Sequence, residues 1–218
     1  DEGGLPGQAR GLAFQLAENL GRLDWEVENL PAESRAAAQT LKRFGVRIGR
    51  RALFLPKLIR PAPSALAAML WAVHARLTHV PSPPAPGLTS FALEKEDSEM
   101  PDKFLAVASF QRIGARAIRL DILERIEELL FEASHQMREA DQTLSAIVSL
   151  LGSGNEDALA LIAALGWKRE TRQTGKVTRP VWQRLRKAKR AGKHRPREKP
   201  AAKSDSPFAG LAALIATD

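Results

Sequence analysis

The sequence predicts a mainly α-helical fold with short β-hairpins, followed by a disordered basic tail. Three observations predict it. Apolar residues recur three and four positions apart through much of residues 1–166, and glycines close several of these runs. Short segments that alternate apolar and charged residues interrupt them, in the two-residue period of strands. Charge, finally, is lopsided: residues 1–167 hold 18 Lys and Arg against 21 Asp and Glu, whereas 168–203 hold 15 against 2. A body of −3 therefore precedes a block of +13, so the overall +8 describes a basic appendage rather than a basic fold. Such a block attracts phosphate backbones by releasing their condensed counterions.

Taken in order, GQARGLAFQLAENLGRL (7–23) spaces Leu12, Leu16 and Leu20 four apart, an amphipathic helix stopped near Gly21. PAESRAAAQTLKRFG (31–45) begins with a proline suited to a first helical turn and ends at Gly45; its Ala36, Ala37 and Ala38 favour close packing. KRFGVRIGRRALFLPKLIRP (42–61) carries seven basic side chains and no acidic one. Val46 to Ile48 and Ala52 to Leu55 read as short strands around a Gly49-Arg50-Arg51 turn. The stretch is thus first a structural joint, and then, through Arg47, Lys57 and Arg60 ahead of Arg50 and Arg51, a candidate channel rim for a polyanion. The next helix, 61–77, is apolar, with Leu66, Met69, Leu70 and Val73 on one face. His74 has no His, Asp or Glu four residues away and reads as a core-edge residue rather than a ligand. VPSPPAPG (80–87) is a stiff polyproline-like connector, and 94–100 is an acidic loop.

A second region begins near Pro101. DKFLAVASF reads as a helix and FQRIGARAIRL (110–120) as two short strands around Gly114. Asp121 is the expected cap of ILERIEELLFEA, where Ile122, Ile126, Leu129 and Leu130 recur at helical spacing. Glu124, Glu127 and Glu128 fall on that helix's polar face and are expected in solvent. Residues 142–152 and 155–166 are helices closed by Gly152 and Gly166, and 167–185 place two strands around a basic tip. Two helices and a hairpin outline a winged-helix-like unit, which completes the predicted fold class. Its second helix offers Asn155, Glu156 and Asp157 and then almost only Ala, Leu and Ile, which cannot pair with base edges. The expected contact is instead a sequence-independent grip on phosphates by Lys168, Arg169, Arg172, Lys176 and Arg179, with Trp167 and Trp182 packing rather than stacking.

Residues 184–203 have no apolar period and read as a disordered linker that extends the grip through Arg184, Arg186, Lys187, Lys189 and Arg190. Ser206 and Pro207 then open a short apolar helix with Phe208, Leu211, Leu214 and Ile215 on one face. It is expected to dock on its own domain or on a protein partner. The domain organisation that follows is a helical domain over 1–93, the loop, a second region over 101–183, the linker, and the terminal helix over 204–218.

Several chemistries are not encoded. With no cysteine there is no disulfide framework, thiolate nucleophile or Cys-ligated zinc, and a cytoplasmic compartment is the expectation. DEGGLPGQ lacks an initiating Met and the basic and apolar regions of a signal peptide, so the chain is expected to begin inside something longer. The apolar run 61–73 is too short and Pro-rich for a bilayer, so no membrane partner is expected. No G-x-x-x-x-G-K-[ST], G-x-G-x-x-G or H-E-x-x-H motif occurs, and the four His are scattered. No catalytic residue, metal or cofactor is expected in this chain.

Six blocks, in order, carry a resemblance: ARGLAFQL (9–16), LKRFGVRIG…LFLPKLIRP with MLWAV (41–73), PGLTSF (86–91), RAIRLDILERI (116–126), SLLGSGNEDALALIAALGW (149–167) and DSPFAGLAAL (205–214). Together they resemble the C-terminal portion of alphaproteobacterial superfamily-2 helicases related to the mitochondrial degradosome RNA helicase. The resemblance implies an accessory region that follows two RecA-like motor domains and helps form their nucleic-acid channel. ATP and Mg²⁺ would belong to that motor, in cis, and none of its ATP-binding residues has a counterpart here. Arg50 and Arg51 depart from the family's pattern. The implied partner is RNA or DNA without sequence choice, and the alternatives are a protein-interaction module or a free-standing winged-helix nucleic-acid-binding protein.

Overall fold

The structure, a computed structural model, describes residues 5–25, 31–93, 100–174 and 177–185. They belong to one compact unit that ends at Leu185. Seven helices and eight strands make up the described residues, the strands in two three-stranded antiparallel sheets and one hairpin. The chain is mainly α with small sheets, as the periodicities predict.

Helices α1 (Gly7–Glu18) and α2 (Ala32–Leu41) bury small residues against each other, with Ala9, Ala37 and Ala38 beside Leu16 and Leu41. The first helix stops just short of Gly21, as the glycine predicts. Leu20 turns left-handed (φ 55°), and the N–H groups of Leu20 and Gly21 return to the carbonyls of Ala17 and Leu16, closing the helix in a Schellman motif. Arg22–Asp24 then leaves as β1, because β3 (Ala52–Phe54) offers it a partner: Arg22 lies opposite Phe54 and Leu23 opposite Leu53. β2 (Arg47–Ile48) pairs along the other edge of β3, so the predicted hairpin gains β1 as a third strand in a sheet ordered β1-β3-β2.

Helix α3 (Pro61–His74) starts where predicted and ends three residues early, and its large apolar face is the exposed one. Its small side, Ser64, Ala68 and Ala72, is buried, while Leu66, Met69, Leu70 and Val73 are 53 to 72 % exposed. The small face lets the helix approach Phe104 and Leu105 of α4 (Asp102–Val107), with Trp71 against Phe104 at 6.4 Å between ring centroids. His74 is exposed rather than at the core edge. β4 (Ser90–Ala92) joins the predicted hairpin of β5 (Phe110–Ile113) and β6 (Arg116–Arg119) in a sheet ordered β4-β6-β5.

The longest helix, α5 (Leu120–His135), sits in the main core, where Leu123, Ile126 and Leu130 meet residues of α6 (Ala140–Leu151) and α7 (Asn155–Ala164). Each such fully buried side chain contributes about 1.5–3 kcal/mol relative to exposure. Arg119, not Asp121, occupies its N-cap position; Asp121 lies in the first turn, accepting from the Arg119 guanidinium at 2.7 Å and from its neighbour Ile122 N–H at 2.9 Å. Helices α6 and α7 meet at 101°, with Gly152 in the left-handed region at the corner. The hairpin of β7 (Trp167–Thr174) and β8 (Val177–Arg184) follows. Among the described residues, no single helix is long and apolar enough to cross a membrane.

Candidate nucleic-acid interface

The joint after α2 is fixed by its own backbone. Lys42–Phe44 forms a 3₁₀ turn, Gly45 adopts φ 83°, and the N–H groups of Gly45 and Val46 return to the carbonyls of Lys42 and Leu41. This is a second Schellman motif, and its apolar pair, Leu41 and Val46, is buried in the core while residues 42–45 stand out in water.

The Gly49-Arg50-Arg51 turn is held from outside by α5. Glu124, expected in solvent, is only 5 % exposed, and its carboxylate accepts the backbone N–H groups of Arg50, Arg51 and Ala52 at 2.5, 2.9 and 2.8 Å. Burial pushes the Glu124 pKa above its ordinary value; the three N–H donors oppose that rise, and neighbouring Glu127 adds to it. Glu127 is buried as well. One of its oxygens accepts from Arg51 Nη1 at 2.7 Å and the other from Trp167 Nε1 at 3.4 Å. Arg50 lays its guanidinium 3.6 Å from the centre of the Phe131 ring. Arg50 and Arg51 are therefore structural, and the solvated-face expectation for Glu124 and Glu127 is corrected. The three aligned backbone donors give the carboxylate charge-assisted hydrogen bonds that offset part of its desolvation, and burial remains the larger effect.

What remains of the joint's charge faces water. Arg47, Lys57 and Arg60 are exposed, as are Lys42 and Arg43, and no acidic group bonds these five among the described residues. Arg60 is the N-cap of α3, which has no acidic residue in its first turn, so the positive end of the helix dipole adds to these charges.

On the hairpin, directly opposed residues share a face. Arg172 is opposite Arg179, both exposed, and Lys168 lies on the same face with Glu170 3.6 Å away. Like charges placed directly across a strand pair repel, and a bound anion would relieve that. Arg169 is already paired with Asp141 at 2.8 Å, and Arg184 is half-buried opposite Trp167. Trp167 and Trp182 are buried and donate to Glu127 and to the Ala140 carbonyl, so both pack rather than stack. Lys176, Arg186, Lys187, Lys189 and Arg190 lie outside the described residues, as do Phe208, Leu211, Leu214 and Ile215.

Helix α7 turns Glu156, Leu159, Ala160 and Ala163 outward, and Asp157 is paired with Arg116 at 2.8 Å. Beyond Asn155 at its first position, that surface has no donor to read a base edge. Among the described residues no three His, Asp or Glu side chains converge on a common point. A cavity of about 250 Å³ beside Arg22 is lined by Asp24, Lys103 and Ser109 among others, without a histidine. Phe44, which sequence reasoning passed over, stands 54 % exposed among the joint's cations, with the Arg43 guanidinium 4.9 Å from its ring centre. Its signal was present: an aromatic residue directly after Lys42 and Arg43 and just ahead of a helix-ending glycine, with Arg47 three residues on. No protein-family model matches the chain, and no match is found among curated proteins or solved structures.

Proposed function

We propose that this chain is a non-catalytic accessory region of an ATP-dependent superfamily-2 helicase, which guides single-stranded RNA or DNA by backbone charge and packs on the motor. The observation that carries the reading is how the joint's charge is divided. Arg50 and Arg51 are consumed internally, while Lys42, Arg43, Arg47, Lys57 and Arg60 are left exposed without acidic partners. The crossed pair α6–α7 and the hairpin after it are read as a winged-helix-like unit that acts through its wing, where Arg172 and Arg179 face each other. The order of the resembling blocks supports the helicase context.

A salt titration of the 218-residue chain against unrelated single-stranded RNA and DNA oligomers tests the reading. Affinity should fall linearly on a log–log plot, with a slope of about −0.7 per phosphate contacted, and should not depend on sequence. Weak binding that is flat with salt would sink the nucleic-acid part. A start codon beside Asp1 in the gene, with no motor motifs upstream, would sink the helicase part.

One observation favours a second reading, a protein-interaction module. Leu66, Met69, Leu70 and Val73 form one exposed apolar face at helical spacing, and such a face is costly to leave in water. Under the first reading the motor covers it; under the second, an unrelated protein does.

A further inference from the structure

We propose that Phe44 is a stacking platform for an unpaired nucleobase, so that the joint takes single strands in preference to duplex. The proposal rests on the nucleic-acid reading above and specifies how that interface recognises its ligand. Three observations carry it. Phe44 is a large apolar side chain more than half exposed, although the residues two before and three after it, Lys42 and Arg47, are themselves exposed cations that repel most basic partners. The platform is held in place, because Leu41 and Val46 anchor both ends of its turn in the core and the left-handed Gly45 closes it with two hydrogen bonds. The segment that carries it is of one sign: residues 42–60 contain no acid, and Arg43 already lies against the ring in the manner of a cation–π pair.

A nucleic-acid strand brings two things such a site can use. Its phosphates complement Lys42, Arg43 and Arg47, and each unpaired base has a π-face that any aromatic ring can stack on regardless of sequence. In a duplex both faces of a base are occupied by neighbours, so Phe44 would have nothing to hold there. A protein partner would need an acidic patch with an apolar centre to fit the same surface.

The test uses the 218-residue chain, with fluorescein-labelled oligouridylate, oligothymidylate and a duplex of equal length as probes. Phe44→Ala should weaken binding to both single strands about tenfold while leaving duplex binding and the salt slope unchanged. Phe44→Leu, which keeps an apolar side chain without a π-face, should lose nearly as much, and a melting curve on each variant confirms folding. Phe44→Trp should retain affinity, with its emission quenched on binding relative to the wild-type Trp background. Two results overturn the stacking proposal alone: Phe44→Ala binding single strands as the wild type does, or losing single strand and duplex equally. Loss of a protein complex in Phe44→Ala with oligomer binding intact also overturns it, in favour of a docking role. Absence of any salt-dependent binding by the wild type overturns the wider reading as well.

Discussion

The carboxylate of Glu124 fills the space that a Cβ on residue 49 would occupy, which is why that position is glycine. The same carboxylate receives the N–H groups of the next three residues, so the turn and the helix hold each other. Gly49→Ala should therefore destabilise the protein by about 1–3 kcal/mol through overpacking against a group that cannot move without losing its donors. Removing the obstruction should remove the cost. In a double-mutant cycle read by urea denaturation, Gly49→Ala is expected to cost much less in a Glu124→Ala background.

Glu124 also makes stability depend on pH in a direction opposite to most carboxylates. Its folded pKa is raised above its ordinary value of 4.5, chiefly by burial, so the native state holds this proton more tightly than the unfolded chain. The stability it contributes is fully present below the unfolded pKa. It is lost as pH rises through the folded value and is constant above that. Glu124→Gln should remove this slope while lowering stability at all pH values by about 1–3 kcal/mol, because an amide NH₂ would meet one of the backbone donors. Paired melting curves from pH 4 to pH 8 check it; parallel wild-type and variant curves would contradict it.

Arg76 ends α3 in the left-handed region at φ 52°, with its N–H returning to Val73 and the next N–H to Ala72. An L side chain there costs about 1–2 kcal/mol that glycine avoids. Arg76→Gly should raise stability by about 0.5–1 kcal/mol despite removing a charge. A higher denaturation midpoint at unchanged m-value is the expected readout.

Arg172 and Arg179 give the hairpin its share of the proposed interface. Replacing both by Ala should reduce the magnitude of the salt slope for single strands by about 1.4, two phosphates' worth. The loss should be equal across sequences, and stability should rise slightly as the repulsion between the two goes. A sequence-dependent loss in the oligomer titration would point instead to base reading by this unit.

The exposed face of α3 predicts a variant that folds but does not assemble. Leu70 is 61 % exposed, so Leu70→Asp should leave the melting temperature nearly unchanged, as surface substitutions within about 0.5 kcal/mol do. Under the proposed function, in gel filtration with a superfamily-2 motor polypeptide the wild-type chain should co-elute and the variant should not. Co-elution of both would place the contact elsewhere.

Most helices were legible because periodicity and terminal glycines are local signals: Gly45, Gly152 and Gly166 each fall where a helix ends. What was not legible depended on partners far along the chain. Glu124 and Glu127 occupy polar positions of an amphipathic helix, and nothing near them in sequence reveals a turn more than seventy residues earlier that needs acceptors. Arg22 to Asp24 carry no strand signal of their own, because β3, which claims them, lies thirty residues on. In α3 the rule that large apolar residues go inside failed, since alanines allowed a closer approach to Phe104 and Leu105 than the bulkier side would. At the interface, the sign of the charge was readable, whereas the division between structural and solvent-facing arginines required their partners to be seen.

One carboxylate, that of Glu127, is fastened to the joint through Arg51 and to the root of the hairpin through Trp167. Glu124, about one helical turn away, holds the same joint by its backbone, so joint and hairpin are tied to neighbouring turns of a single helix. Under the proposed function, a strand that touched both cation groups would meet contacts fixed to one helix, with neither able to advance alone. Movement of the strand would have to come from whatever pulls it, and this unit would serve to keep it on line.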